Sequence, residues 1–222
     1  MFDFFKKKIS SLSINLNLNE MRKYVKIVVV DDDKNSFPVE LMKESGYSID
    51  YFKKVDHNLL ERLEHGSYDI IILDIMGICD EKLSLNDGVS ILERIKKINP
   101  SQVVVAFSGQ MFDVEKSKFW RIADDSLKKP VDLIKCKDVV DGIIKEKINP
   151  QNMWSGIKGI LEARGAAPAL IAKVEDSLVR AISSKKVDNI KFAELIKSCF
   201  GPVDLILSIT SRIVVLFSPF IK

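Results

Sequence analysis

Carboxylates, a hydroxyl and a lysine stand at the ends of apolar runs in this chain. Asp31, Asp32 and Asp33 follow Lys26–Val30, Asp74 follows Tyr68–Leu73, Ser108 follows Gln102–Phe107, and Lys128-Lys129-Pro130 closes a shorter run. Any one of these residues alone is bland, because an Asp after a strand is ordinarily a turn or cap residue. Together they describe a chemistry. Carboxylates brought close repel one another and need a cation, and hard oxygen ligands that leave room for water suit Mg²⁺, or Mn²⁺. A lysine and a hydroxyl beside that cation make a place for a phosphoryl group. A carboxylate in such a place is a nucleophile whose product is an aspartyl phosphate.

The elements that must position these groups can be read from the same runs. Lys26–Val30, Tyr68–Leu73 and Gln102–Phe107 are continuous apolar runs rich in β-branched residues, as expected of strands buried on both faces. Tyr47–Phe52 and Asp125–Lys128 read as two further strands. Helices are expected between them: one capped by Asn35 or Ser36 and ending at Gly46, then Asp56–Glu64, Asp87–Ile98, Phe112–Ile122 and Val131–Lys147. Five alternations of strand and helix predict right-handed crossovers and a parallel sheet covered on both faces. Ligands of such a sheet bind at the carboxyl ends of its strands, where all the groups above fall.

The constellation closely resembles the receiver domain of two-component response regulators, over about residues 25–147. The motifs that carry it are Asp31-Asp32 after two valines, Asp74, Asp87-Gly88 opening a helix, Ser108-Gly109, and Lys129-Pro130. The resemblance implies a flavodoxin-like, five-stranded parallel α/β domain of strand order 2-1-3-4-5. It implies Asp74 as phosphoacceptor, Ser108 as the switch hydroxyl and Lys129 as the cation paired with the phosphoryl group. It also implies Mg²⁺ (or Mn²⁺) held by Asp32 and Asp74, by Asp31 through water, and by the Met76 backbone carbonyl. Such a protein is a signalling phosphoacceptor, assisting its own phosphoryl transfer and hydrolysis, and not a conventional enzyme. Its phosphodonor is a sensor histidine kinase or a phosphotransfer protein. A competing class is the haloacid-dehalogenase-like phosphatase, which would use Asp31 and Asp33 and leave Asp74 idle.

Three departures from the family pattern stand out. The stretch from Asp74 to Asp87 is about six residues longer than usual and lacks a proline. The position three before Lys129, commonly aromatic in the family, is Ser126, which puts the usual aromatic relay in doubt. Met76 and Gln110 flank the path of attack. An apolar Met does not orient a hydrolytic water although Gln can, so a persistent phosphoryl group is expected.

Of 222 residues, 46% are hydrophobic and 29% charged, ordinary for a folded globular chain and wrong for a disordered one. Residues 1–24 read as an extension, with Ile14–Leu18 either an edge strand or a tether; 25–148 is the receiver-like domain and 149–222 a small all-α domain. The helices expected there are Met153–Ala163, Pro168–Ile182, Asp188–Phe200 and Val203–Phe217. The net charge of +3 gives no argument for nucleic acid, although 151–222 carry ten basic against six acidic side chains. No phosphate-binding glycine loop and no histidine lies in that module, which excludes an ATPase or a histidine phosphotransfer output. Protein interaction or homodimerisation is the preferred output, DNA binding the alternative, and association with a membrane surface the weakest reading. Three scattered cysteines and the absence of a signal-peptide pattern point to the cytoplasm.

Overall fold

The structure is a computed structural model that describes residues 8–85, 87–109, 117–186, 194–196 and 203–221. It divides into two compact units, residues 18–147 and residues 1–17 with 148–222. In the first, the strands are β1 (Lys26–Val30), β2 (Ser48–Phe52), β3 (Ile70–Asp74), β4 (Val103–Ser108) and β5 (Asp125–Lys128). They form one five-stranded sheet of order β2-β1-β3-β4-β5, and every neighbouring pair is parallel. This is the doubly wound arrangement expected from the alternation, with β1 and β3 adjacent at the point where the strand order reverses.

The helices of this unit are α1 (Leu18–Tyr24), α2 (Val39–Glu44), α3 (His57–Glu64), α4 (Gly88–Ile98), α5 (Ser117–Ile122) and α6 (Leu133–Glu146). Alternate strand residues face opposite layers. Val28, Val30, Ile71, Leu73, Val104 and Ala106 pack with Leu59, Leu63, Ile91, Leu92, Ile95 and Phe119 from α3, α4 and α5. The helix starts are locally encoded. Asp56, Asp87 and Asp132 each accept a hydrogen bond from a backbone N–H of the first turn, and at Asp87 the Ser90 hydroxyl completes a reciprocal box.

Two details differ from the reading of the sequence. Neither Asn35 nor Ser36 caps α2, which starts behind Pro38 without a side-chain cap. The Ser36 hydroxyl instead donates to the Asp31 carboxylate, an ionised acceptor that makes a stronger hydrogen bond than a neutral one. The N-terminal extension is also not one piece. Residues 18–24 are helix α1, docked on α6 by the Arg22 guanidinium, which donates to both oxygens of Asp141. Tyr47 donates its hydroxyl to the same carboxylate at 2.6 Å.

The remaining stretch, 8–17, belongs with the helical unit. Ile9 is buried there, its N–H donates to Glu175 Oε1 at 3.1 Å, and Ile14 bridges Ile221 in antiparallel fashion. One fully buried isoleucine is worth about 1.5–3 kcal/mol, enough to decide where a short segment lies. The helices of this unit are α7 (Pro150–Ala163), α8 (Pro168–Ser184) and α9 (Val203–Phe217). Asn149 caps α7, with Pro150 in its first turn, so that helix starts three residues before the apolar stripe from Met153 indicated. Trp154, Ile157, Leu161, Val174, Leu178, Ile182, Leu205, Ile213 and Phe217 are all buried. The helix expected over Asp188–Phe200 lies outside the described residues except for a helical turn at 194–196, as does the start of the one expected over Phe112–Ile122. Among the described residues, no helix is long and apolar enough to cross a membrane.

Candidate functional site

The carboxyl edge of the sheet collects the acidic groups. Asp31 lies one residue beyond β1 and Asp74 is the last residue of β3, so the pairing of these two strands brings their carboxylates side by side. Carboxylate oxygens of Asp31, Asp32 and Asp74 all lie within 4.8 Å of one another. Asp31 and Asp74 are buried and Asp32 is exposed. From the other side of the sheet, Lys129 reaches over the Phe107 ring and donates through Nζ to Asp31 Oδ1 and Asp74 Oδ2, at 2.7 Å each. Its backbone N–H donates to the Ser108 carbonyl at 3.0 Å, and the Lys129–Pro130 peptide that follows is cis.

Each buried carboxylate has further partners. Asp31 accepts the Ser36 hydroxyl and the Asp33 N–H, and its carbonyl accepts the Tyr51 hydroxyl. Asp74 Oδ1 accepts the Ile75 N–H at 2.7 Å. Burial pushes the Asp74 carboxyl above its ordinary range, outweighing the hydrogen bond from Lys129. Burial also opposes the Lys129 charge, but the two carboxylates more than offset it and the ammonium is held above its usual range. Lys129 is therefore fully charged, while Asp74 pays for its enclosure with a greater affinity for a proton.

Three carboxylates against one ammonium leave two negative charges at the mouth of the site. Hard oxygen donors, an uncompensated divalent charge and one solvent-facing member fit a hydrated Mg²⁺ or Mn²⁺. Asp33, adjacent in sequence, is not part of this group. Its carboxylate accepts the Asn35 N–H at 3.0 Å and closes a turn. Ser108 ends β4 and is buried, Met76 is 56% exposed beyond β3, and Ser126 sits half-buried in β5. Gln110 lies outside the described residues.

The long connection from β3 to α4 is built into the domain. Val55, after β2, pairs with Cys79 as a further parallel bridge: its N–H donates to the Ile78 carbonyl at 2.6 Å, and Asp80 N–H donates to the Val55 carbonyl at 3.0 Å. Ile75, Ile78 and Leu83 are buried beneath it. Gly88 is required by the same packing, since a Cβ there would stand 2.0 Å from the Asp74 carbonyl oxygen.

No family model and no curated protein matches the chain. Solved structures do. A two-component response regulator from Clostridium difficile is 24% identical with a TM-score of 0.45, covering 55% of this chain and 97% of its own. A CheY-like response regulator receiver domain protein from Methanospirillum hungatei JF-1 is 25% identical with a TM-score of 0.43, covering 55% and 98%. NtrX from Brucella abortus is 22% identical with a TM-score of 0.47, covering 73% of this chain and 35% of its own. The sheet order of this chain is the flavodoxin-like one. Residues 18–147 therefore have a flavodoxin-like, five-stranded parallel α/β fold.

The contributions of Ser36, Tyr51 and Ile75 to the site went unread in the sequence. Tyr51 and Ile75 are placed by strand pairing and by a turn of the backbone, neither of which leaves a motif. Ser36 had a signal, a hydroxyl five residues past Asp31, but it read equally well as a helix cap.

Proposed function

We propose that the chain is a response regulator that accepts a phosphoryl group on Asp74 and relays the change to its helical unit. The observation that carries this reading is the Lys129 ammonium bridging Asp31 and Asp74 at the carboxyl edge of β1 and β3. An ammonium there is of use to a phosphoryl group arriving on Asp74. In the transfer, an Asp74 carboxylate oxygen forms a bond to phosphorus as the bond from phosphorus to the donor nitrogen of a phosphohistidine breaks, and the imidazole leaves. Lys129 then exchanges one carboxylate contact for a phosphoryl oxygen, and the Ser108 hydroxyl donates to another.

Asp31, Asp32, Asp74 and the Met76 backbone carbonyl would hold Mg²⁺ or Mn²⁺. Bound there, the metal would supply positive charge to the oxygens of the phosphoryl group. The donor is a sensor histidine kinase or a phosphotransfer protein. The helical unit serves protein interaction or homodimerisation, since the sequence pattern of 188–200 is spent on apolar positions and 203–217 carries a single cation, Arg212, instead of a basic reading face.

The direct test is incubation of the full chain with acetyl phosphate and Mg²⁺, followed by intact-mass measurement. One phosphoryl adduct is expected on the wild type and none on Asp74→Asn. An adduct that persists in that variant places the acceptor elsewhere.

A further inference from the structure

The three carboxylates differ in what holds them. Asp31 is fixed by Ser36, Asp33 and Lys129, and Asp74 by Ile75 and Lys129. Asp32 accepts no hydrogen bond and makes no ion pair with any described residue, yet its carboxylate converges with the other two. What bounds it is space. Gly77 has φ +74°, and a Cβ built there would stand 2.3 Å from Asp32 Oδ2 and 2.9 Å from its carboxyl carbon. The carboxylate thus lies against bare glycine backbone, in room that any other residue would fill.

Gly77 has little freedom to retreat, because the chain is anchored on both sides of it. The Ile75 carbonyl accepts the Gly88 N–H at 2.7 Å, the Ile78 carbonyl accepts the Val55 N–H at 2.6 Å, and both isoleucines are fully buried. A left-handed backbone is itself best tolerated by glycine. An added methyl group would therefore move the carboxylate rather than the loop. Asp32 Oδ2 is the free end of an exposed side chain, so it can swing away and leave the fold intact.

We infer that Gly77 is a positioning residue for the metal: the glycine of the long β3–α4 connection leaves the space in which Asp32 points at the site, and so sets the affinity for a divalent cation. This rests on the reading of Asp31, Asp32 and Asp74 as metal ligands.

Gly46 supplies the control. Its φ is +89°, so an alanine there meets the same kind of backbone strain, but nothing lies within 4 Å of the added Cβ. Mg²⁺ and Mn²⁺ affinities of the full chain are measured by calorimetry for wild type, Gly77→Ala, Gly46→Ala and Asp32→Ala, with thermal melting of each without metal. The expected result is at least tenfold weaker binding in Gly77→Ala, approaching Asp32→Ala, with wild-type affinity in Gly46→Ala and similar melting of the two glycine variants. Wild-type affinity in Gly77→Ala overturns the positioning role while leaving the ligand assignment in place. Unchanged affinity in Asp32→Ala, or no binding by the wild type, overturns both. If Gly77→Ala does not fold, recovery of folding in the Asp32→Ala background supports the steric contact, and failure there overturns it.

Discussion

At the scale of single residues, the site is a buried charge cluster whose balance depends on one cation. Asp31 is fully buried, and the Lys129 side chain is only 17% exposed. Removing one member of a buried pair leaves an uncompensated charge, which costs about 3–5 kcal/mol. Lys129→Met should lose that much stability in urea unfolding without metal, and millimolar Mg²⁺ should restore part of it by supplying positive charge to the same carboxylates. The proton balance gives a second prediction. The folded Asp74 carboxyl titrates above its ordinary value of 3.8, so the folded state holds this proton more tightly than the unfolded chain. Its contribution to stability is therefore full below that value and falls as pH rises through the folded pKa. In metal-free protein, Asp74→Asn should remove this downward trend from a stability–pH series started near about pH 4.

At the scale of elements, short local signals and long-range ties divide the work. Asp56, Asp87 and Asp132 start their helices by bonds within one turn, and the onsets of α3 and α4 were legible in the sequence, whereas α6 starts at Leu133, two residues inside the expected Val131. Helix α1 was not legible, because what holds it is Arg22 on Asp141, 119 residues away. Burial alone would raise the Asp141 carboxyl, but the hydrogen bonds from Arg22 and Tyr47 outweigh it and hold the group below its usual range. Stability from this group is present above its ordinary value of 3.8 and is lost as pH falls through the depressed one. Asp141→Ala leaves the Arg22 guanidinium and the Tyr47 hydroxyl without their shared acceptor, and should cost about 2–4 kcal/mol. Hydrogen exchange should report the loss first in Leu18–Tyr24, whereas a uniform loss across the sheet would mean that Asp141 serves α6 alone. The long β3–α4 connection belongs to the same class as α1. Its extra length stands in the sequence only as a departure from the family pattern, whereas in the structure its Ile75, Ile78 and Leu83 are buried and Val55 pairs with it.

At the scale of the whole molecule, the chain joins a flavodoxin-like parallel α/β unit to a helical unit that includes its first residues. If phosphorylation at Asp74 is read out as a change of assembly, light scattering with and without beryllofluoride and Mg²⁺ should show a gain in mass, absent in Asp74→Asn. An unchanged mass together with tight, salt-dependent binding of a nonspecific DNA duplex would favour a DNA-binding output instead. The parallel sheet was written in the sequence by continuous apolar runs alternating with amphipathic ones, whereas its strand order was implied only by the resemblance of the strand-end motifs to a receiver domain. The convergence of Asp31, Asp74 and Lys129 followed from that order, since residues at strand ends meet wherever the strands pair. Tertiary structure alone decided the rest. The lodging of residues 8–17 against the helical unit, the turn of Ser36 from helix cap to carboxylate partner, and the close approach of Gly77 to Asp32 each depend on groups far apart in the chain or on empty space. Periodicity records which face of an element is apolar, and it carries no record of which distant surface will fill the room beside it.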